Sequence, residues 1–405
     1  MKRVGVFGAG TIGKRIVEFL KNEKTIEIVA VCDNDKNRWG EEFCGFNIIA
    51  PSELFDRIEC DAILVAMRDY KEAYDQCLSN LGNTPVYTKV SDIVAEVAYM
   101  DISDGCNAKC TYCVTGNDTR NGVSNKIRVT SYDQFVKIYD HLWSKGLIIK
   151  KTELGLFNWG EPFLNKDCIK IFNFLSRNKQ KYALSTNGSV FREAIDAKTY
   201  EFCERIYFSM PGFSQGSYDR IHGFNFELIK ENIKKIYKNM LECGFHGEAV
   251  ISAHLYKFSL EELEELRKWA KEIGIGVFPY YPYLNGNSLF EKYFEGTLSI
   301  KYKEMVEKDL FPEKWKQALN YREPSYKCPI SEWLVLGVNG EMLLCCQADK
   351  YCSTYQNWGS IMDVNSYDDY MIIKRKMIQS ESCKRCREYG IDYIVSHNLD
   401  QDICI

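Results

Sequence analysis

Cys106-Asn107-Ala108-Lys109-Cys110-Thr111-Tyr112-Cys113 places three cysteines on one short segment in a C-x3-C-x2-C spacing. The segment follows directly on residues 99–103, which have strand character. Three thiolates on one loop can bind three irons of a [4Fe–4S] cubane. The fourth iron then keeps an open position for a ligand, as an open zinc site does. Structural zinc prefers four closed ligands and paired C-x2-C knuckles, and a redox disulfide uses two cysteines. Both fit a trio less well.

Outward from that loop, strand then helix repeats. Strands are expected at 99–103, 153–157, Tyr182–Thr186, 205–209, Glu248–His254 and 276–281, with helices at 132–145, 226–243 and 260–273. Six such units predict a partial or complete β/α barrel over residues 97–290, with ligand chemistry at the C-terminal strand ends. Asn158-Trp159-Gly160-Glu161-Pro162 follows the second strand, Ser185-Thr186-Asn187-Gly188 ends the third and Ser209 ends the fourth. Taken singly, these also read as a Gly-Pro turn, an Asn-Gly turn and a serine bonded to backbone. Tyr218-Asp219-Arg220-Ile221-His222-Gly223 comes next, and His222 reads as a structural histidine.

The cysteine loop, its strand-end position and the aromatic Tyr112 before the last cysteine resemble the signature of the radical SAM superfamily. The resemblance implies that Cys106, Cys110 and Cys113 are the catalytic cluster ligands and that S-adenosylmethionine (SAM) binds the open iron. Residues 158–162 resemble the family's Gly-Gly-Glu-Pro motif, so Gly160 and Glu161 would hold the methionine amino group. Trp159 stands where the first glycine is expected. Ser185 and Asn187 would serve the SAM carboxylate and ribose, Ser209 the ribose, and Tyr112 the same cofactor. The implied chemistry is reductive cleavage of SAM to a 5′-deoxyadenosyl radical that abstracts hydrogen from an unactivated C–H bond. The electron comes from a donor such as flavodoxin or ferredoxin.

Residues 1–96 have a different character. A strand at 4–7 runs into Gly8-Ala9-Gly10-Thr11-Ile12-Gly13 and a helical pattern at 14–22. A second strand, Ile26–Cys32, ends at Asp33, and a third at 62–66 follows the turn-like Pro51-Ser52-Glu53. Alternating strands and helices predict a parallel sheet. Gly8, Gly10 and Gly13 can bring backbone close to a phosphate at a helix N-terminus, and Asp33 is placed to bind ribose hydroxyls. The segment resembles Rossmann-like domains attached to sugar-modifying enzymes, which implies NAD or a nucleotide-sugar as ligand. A Rossmann-like fold without a ligand is the alternative.

Residues 320–405 are rich in cysteine. Cys328, Cys345, Cys383 and Cys386 can fully ligate one auxiliary [4Fe–4S] cluster, or close a structural zinc site. Cys346 beside Cys345 leaves that ligand open. Val338-Asn339-Gly340-Glu341 supplies a hairpin turn. This part resembles the SPASM/Twitch extension, and because only Cys404 follows, the one-cluster Twitch version fits better. Residues 291–319 read as a helical linker. The fold class expected is α/β: an N-terminal Rossmann-like sheet, a central partial (β/α)6 radical SAM barrel, and a small C-terminal cysteine-rich α+β Twitch/SPASM-like domain.

Composition sets the outer bounds. The chain has 405 residues, 45% of them hydrophobic, and a formal net charge of −4. That is a globular composition of two to three domains, with no electrostatic pull toward nucleic acid. Seventeen cysteines cannot all pair, and a chain of this length needs no disulfide scaffold. A reducing, cytoplasmic setting with no membrane partner is expected. Cys32, Cys44, Cys60, Cys77, Cys168, Cys203 and Cys243 read as packing residues, and Cys352 is unassigned. The substrate expected is a small carbohydrate or nucleotide-linked polar molecule, oxidised or epimerised. Peptide maturation is the second reading. A NAD-dependent oxidoreductase with structural zinc and a binding-only iron–sulfur sensor are further alternatives.

Overall fold

The computed structural model describes residues 1–123 and 126–399; Cys404 lies outside the described residues. The chain divides into two compact units.

The first unit comprises Met1–Glu96, Asp140–Thr152 and Val364–Ile372. Its strands are β1 (Lys2–Phe7), β2 (Ile26–Cys32), β3 (Glu42–Phe43), β4 (Phe46–Ile49), β5 (Ala62–Val65) and β6 (Val86–Tyr87), in the order β3-β4-β2-β1-β5-β6. All pairings are parallel except β3 with β4. Every residue of β5 is buried, as are the last four of β1, which is the pattern of strands covered on both faces. Val4, Val6, Val17, Leu20, Val31 and Leu64 form the heart of one apolar cluster. The turn after β1 needs its glycines. Gly8 has φ +116°, and a Cβ on Gly13 would lie 1.9 Å from the Gly8 carbonyl oxygen. Pro51-Ser52-Glu53 is not a turn: it opens the helix Pro51–Arg57, with proline at the first turn, where its missing N–H costs nothing.

The second unit comprises Val97–Tyr139, Glu153–Asp363 and the chain from Ile373 onward. Its sheet contains β7 (Val97–Met100), β8 (Glu153–Gly155), β9 (Tyr182–Thr186), β10 (Cys203–Met210), β11 (Glu248–His254), β12 (Gly276–Tyr280), β13 (Leu334–Leu336) and β14 (Met342–Leu343). The order is β12-β11-β10-β9-β8-β7-β13-β14, so six parallel strands lie side by side in chain order. β7 and β8 stop earlier than the expected 99–103 and 153–157. The amides of Asp101 and Leu156 make the last bonds to neighbouring strands, and beyond them the backbone builds the loops described below. β13 pairs in parallel with β7, and β14 returns antiparallel to β13. The turn between them carries Asn339 at φ 60° and Gly340 at φ +79°. Two successive left-handed residues match the twist of a tight hairpin.

Between β12 and β13 run the helices Asn287–Phe294, Ile300–Asp309 and Pro312–Leu319. They share an apolar cluster with Tyr112, Tyr256, Ile330, Ile391 and Ile394. Among the described residues no helix is long and apolar enough to cross a membrane.

Candidate active site

The C-terminal ends of the six parallel strands surround a cavity of about 250 Å³. Cys106, Cys110, Tyr112, Cys113, Gly160, Glu161, Ser185, Asn187 and Ser209 all line it. Residues from four separate strand-end loops are thus brought to one wall system.

The cysteine loop is clamped locally. Gly116, in the helix Val114–Arg120, packs so tightly on the loop that a Cβ would sit 2.4 Å from the Cys110 carbonyl oxygen. Thr119 Oγ1 donates to the Cys106 carbonyl at 2.7 Å, and the Lys109 amide donates to the His222 carbonyl at 2.9 Å. Tyr112 Oη donates to Asp309 Oδ2 at 2.6 Å, and Arg220 pairs with the same carboxylate. Two of the sulfurs receive N–H groups. Cys106 Sγ accepts from the Ala108 amide at 3.4 Å and Asn187 Nδ2 at 3.5 Å, and Cys113 Sγ accepts from Asn285 Nδ2 at 3.5 Å. As bare thiols all three are held neutral. Burial pushes Cys106 up to about 12, and Cys110 and Cys113 upward as well. Ionising them therefore requires a positive centre, which an iron cluster supplies.

The second loop is tied to the first. The Glu161 amide donates to the Gly105 carbonyl at 2.9 Å, and a Cβ on Gly160 would lie 1.9 Å from the Ser103 carbonyl oxygen. Glu161 is 3% exposed. Its Oε1 accepts from the Phe163 amide at 3.1 Å and Thr186 Oγ1 at 2.8 Å, and its Oε2 accepts from the Asn187 amide at 2.8 Å. Burial raises its pKa to about 7, and these donors hold it from going higher. The carboxylate is thus fixed in place: Oε1 accepts two bonds and Oε2 one, which leaves a lone pair on Oε2 for a cation.

Three features in and beside the cavity escaped the sequence. Asp101, just past β7, is fully buried and accepts from the Trp159 amide at 3.1 and 3.2 Å, with the Asn158 and Gly160 amides also turned to it. Burial raises it to about 7. His222, read as structural, stands on the cavity wall with its Nδ1 buried and unpartnered. Burial lowers it to about 3, and lowers His254, at the end of β11, to about 4. Both imidazoles are neutral at pH 7. Tyr256, Tyr280, Tyr283 and Phe157 complete an aromatic lining. The strand-end positions of Asp101 and His254 were the one available signal.

The C-terminal cysteines gather elsewhere in the same unit. Cys328 precedes the turn Pro329–Glu332, Cys345 and Cys346 follow β14, and Cys383 and Cys386 share one face of the helix Glu381–Glu388. The sulfurs lie near enough to act on one another electrostatically, Cys345 and Cys328 both on Cys386. Cys328, Cys345, Cys346 and Cys386 back onto the same apolar cluster as Cys110. Cys352 is engaged apart from them, donating to Asp349 Oδ2 at 3.5 Å. All described cysteines are free thiols. Among the described residues no three His, Cys, Asp or Glu side chains converge tightly enough for a single metal ion.

In the first unit, Gly8, Gly10, Gly13 and Asp33 meet at one turn. Asp33 Oδ2 accepts from the Ala9 amide at 2.8 Å and lies 3.7 Å from Arg38 Nη1. The acid therefore caps the glycine turn itself.

Residues 1–84 match the family described as C2185-like, N-terminal, and residues 100–277 match the radical SAM superfamily. No curated protein sequence matches the chain. Among solved structures, Streptococcus suis SuiB bound to precursor peptide SuiA aligns with a TM-score of 0.45 and 17% identity. The alignment covers 68% of this chain and 65% of SuiB, just under two thirds of that protein. anSMEcpe with bound AdoMet and Cp18Cys peptide aligns at 0.42 and 16%, over 72% of this chain and 85% of that one. BtrN in complex with AdoMet and 2-DOIA aligns at 0.36 and 13%, over 72% and 89%. Residues 100–277, the segment carrying the cysteine trio and Glu161, are a radical SAM superfamily domain, which implies SAM and a [4Fe–4S] cluster.

Proposed function

We propose that this chain is an oxidoreductase or epimerase that uses SAM radical chemistry on a carbohydrate or nucleotide-linked polar molecule. In this reading Cys106, Cys110 and Cys113 hold the catalytic cluster, Cys328, Cys345 (or Cys346), Cys383 and Cys386 hold one auxiliary [4Fe–4S] cluster, and the first unit is Rossmann-like. The observation that carries the reading is the shared cavity: the trio, a fixed carboxylate at Glu161 and the polar strand ends Ser185, Asn187 and Ser209 all face it. When bound, the reduced cluster supplies the electron that cleaves SAM to a 5′-deoxyadenosyl radical. Glu161 would receive the methionine ammonium in a charge-assisted hydrogen bond, and Ser209 the ribose. The aromatic side chains would shield a reactive intermediate on their side of the cavity.

Two observations favour a sugar-like substrate. The first unit places a glycine turn and Asp33 together, and the cavity pairs aromatic faces with two neutral imidazoles, which suit ring C–H faces and hydroxyls. NAD or a nucleotide-sugar is the ligand class proposed for the first unit. A cytoplasmic setting and a flavodoxin- or ferredoxin-type donor complete the proposal. Peptide modification is the second reading, since the same trio and quartet would serve it equally.

The test is anaerobic reconstitution with iron and sulfide, then SAM and dithionite. Formation of 5′-deoxyadenosine is expected, and its loss on changing Cys106, Cys110 and Cys113 to Ala. A protein that takes up zinc and no iron overturns the reading. Incubation with nucleotide-sugars and with candidate precursor peptides, followed by mass spectrometry, separates the two substrate classes.

A further inference from the structure

Lys374 lies on the helix Tyr367–Ile378 and is 2% exposed. Its Nζ donates to the Trp333 carbonyl at 2.8 Å and the Leu344 carbonyl at 3.1 Å. Trp333 closes the turn that begins at Cys328, and Leu344 immediately precedes Cys345. The ammonium thus stitches together the two backbone segments that carry the first half of the quartet. The groups acting on it electrostatically are Cys345, Cys383, Cys328 and Cys346. Among the described residues no carboxylate forms an ion pair with it.

This is an unusual place for a charge. A fully buried ammonium normally has an anion beside it, because two neutral carbonyls do not offset the lost hydration. Here the Lys374 Nζ bonds to two neutral carbonyls, one on each backbone segment that carries a quartet cysteine. A cluster resolves the imbalance. Four thiolates around a cubane core of charge 2+ leave two negative charges, and reduction adds a third.

We propose that Lys374 is the built-in counter-ion of the cysteine quartet and raises the reduction potential of the cluster held there. The proposal rests on the reading that the quartet holds an auxiliary [4Fe–4S] cluster. Uptake of one electron, whether from a substrate radical or from dithionite, adds one negative charge beside a fixed positive one and moves no atom. A fixed cation stabilises the reduced state more than the oxidised one, so the cluster takes an electron more readily.

The test uses the full chain with Cys106, Cys110 and Cys113 changed to Ala, so that only the quartet's cluster remains. Iron and sulfide are counted first, and the midpoint potential is then read by EPR-monitored titration. Lys374→Met, which keeps the stem and removes the charge, is expected to shift the potential to more negative values at unchanged iron content. Lys374→Arg is expected to leave it near that of the parent. If Lys374→Met does not fold, as judged by circular dichroism, Lys374→Gln carries the same comparison. An unchanged potential in the neutral variant overturns the proposal, as does an Arg variant shifted as far as the neutral one. Absence of iron from the parent instead overturns the underlying auxiliary-cluster reading.

Discussion

Glu161 is positioned before any ligand arrives. Three donors hold its two oxygens, and all three belong to the protein. Changing it to Gln preserves shape and removes the charge that an ammonium needs. A hydrogen bond to a charged group contributes about 1.5–3 kcal/mol, so Glu161→Gln is expected to weaken SAM binding about 10- to 100-fold, measured by equilibrium binding to the reconstituted protein. Its pKa of about 7 adds a pH signature. If the ionised form binds the ammonium as proposed, SAM affinity should rise as pH goes from 6 to 8, and the Gln variant should lose that rise. Glu161 was legible in the sequence because a glycine-glutamate-proline turn after a strand is a pattern. Asp101 was not, because one aspartate past a strand has no pattern around it. For the same reason the sequence does not show that the His222 ring borders the cavity; the fold does.

The turn at 158–160 depends on three neighbours. It is pinned from below by Asp101 and from the side by Ser103 and Gly105. Gly160→Ala forces a methyl group to within 1.9 Å of a carbonyl oxygen, so the turn must move and carry Glu161 with it. The expected result is loss of 5′-deoxyadenosine formation with the quartet's cluster still present by EPR. Asp101→Ala leaves amides of the turn without their carboxylate. It should cost about 1–3 kcal/mol of stability and raise the KM for SAM, read by urea unfolding and by initial rates. The long elements were legible. Tyr182–Thr186 and Glu248–His254 stand where the alternation placed them, because five to seven residues carry enough period to read. β13 was not legible, since three residues carry none, although the Asn339-Gly340 turn beside it was.

At the scale of the molecule, the buried groups in and beside the cavity oppose one another in pH. Asp101 and Glu161 have folded pKa values raised to about 7. Their contribution to stability is present below the ordinary carboxylate range and is lost as pH rises through about 7. His222 and His254 are lowered to about 3 and 4. Their contribution is present above about pH 6.5 and is lost as pH falls through those values. Between about pH 4.5 and 6.5 the two slopes cancel. The double variant His222→Gln/His254→Gln should therefore lose stability, relative to the parent, as pH rises across that window. Urea midpoints at pH 5, 6 and 7 measure it, and a variant that tracks the parent in parallel refutes the assignment.

The pairing of β7 with β13 has a consequence for how the protein is made. β7 is the first strand of its sheet to be synthesised, and its partner on that side begins at Leu334. At about 5–20 residues per second, the intervening chain takes on the order of 10–50 s to emerge. Throughout that interval the strand that leads into Cys106 has an open edge, and the quartet has yet to appear. The quartet is completed later still, when Cys383 and Cys386 on the helix Glu381–Glu388 emerge. A cluster in the proposed quartet would be inserted into a nearly finished chain, after synthesis rather than during it.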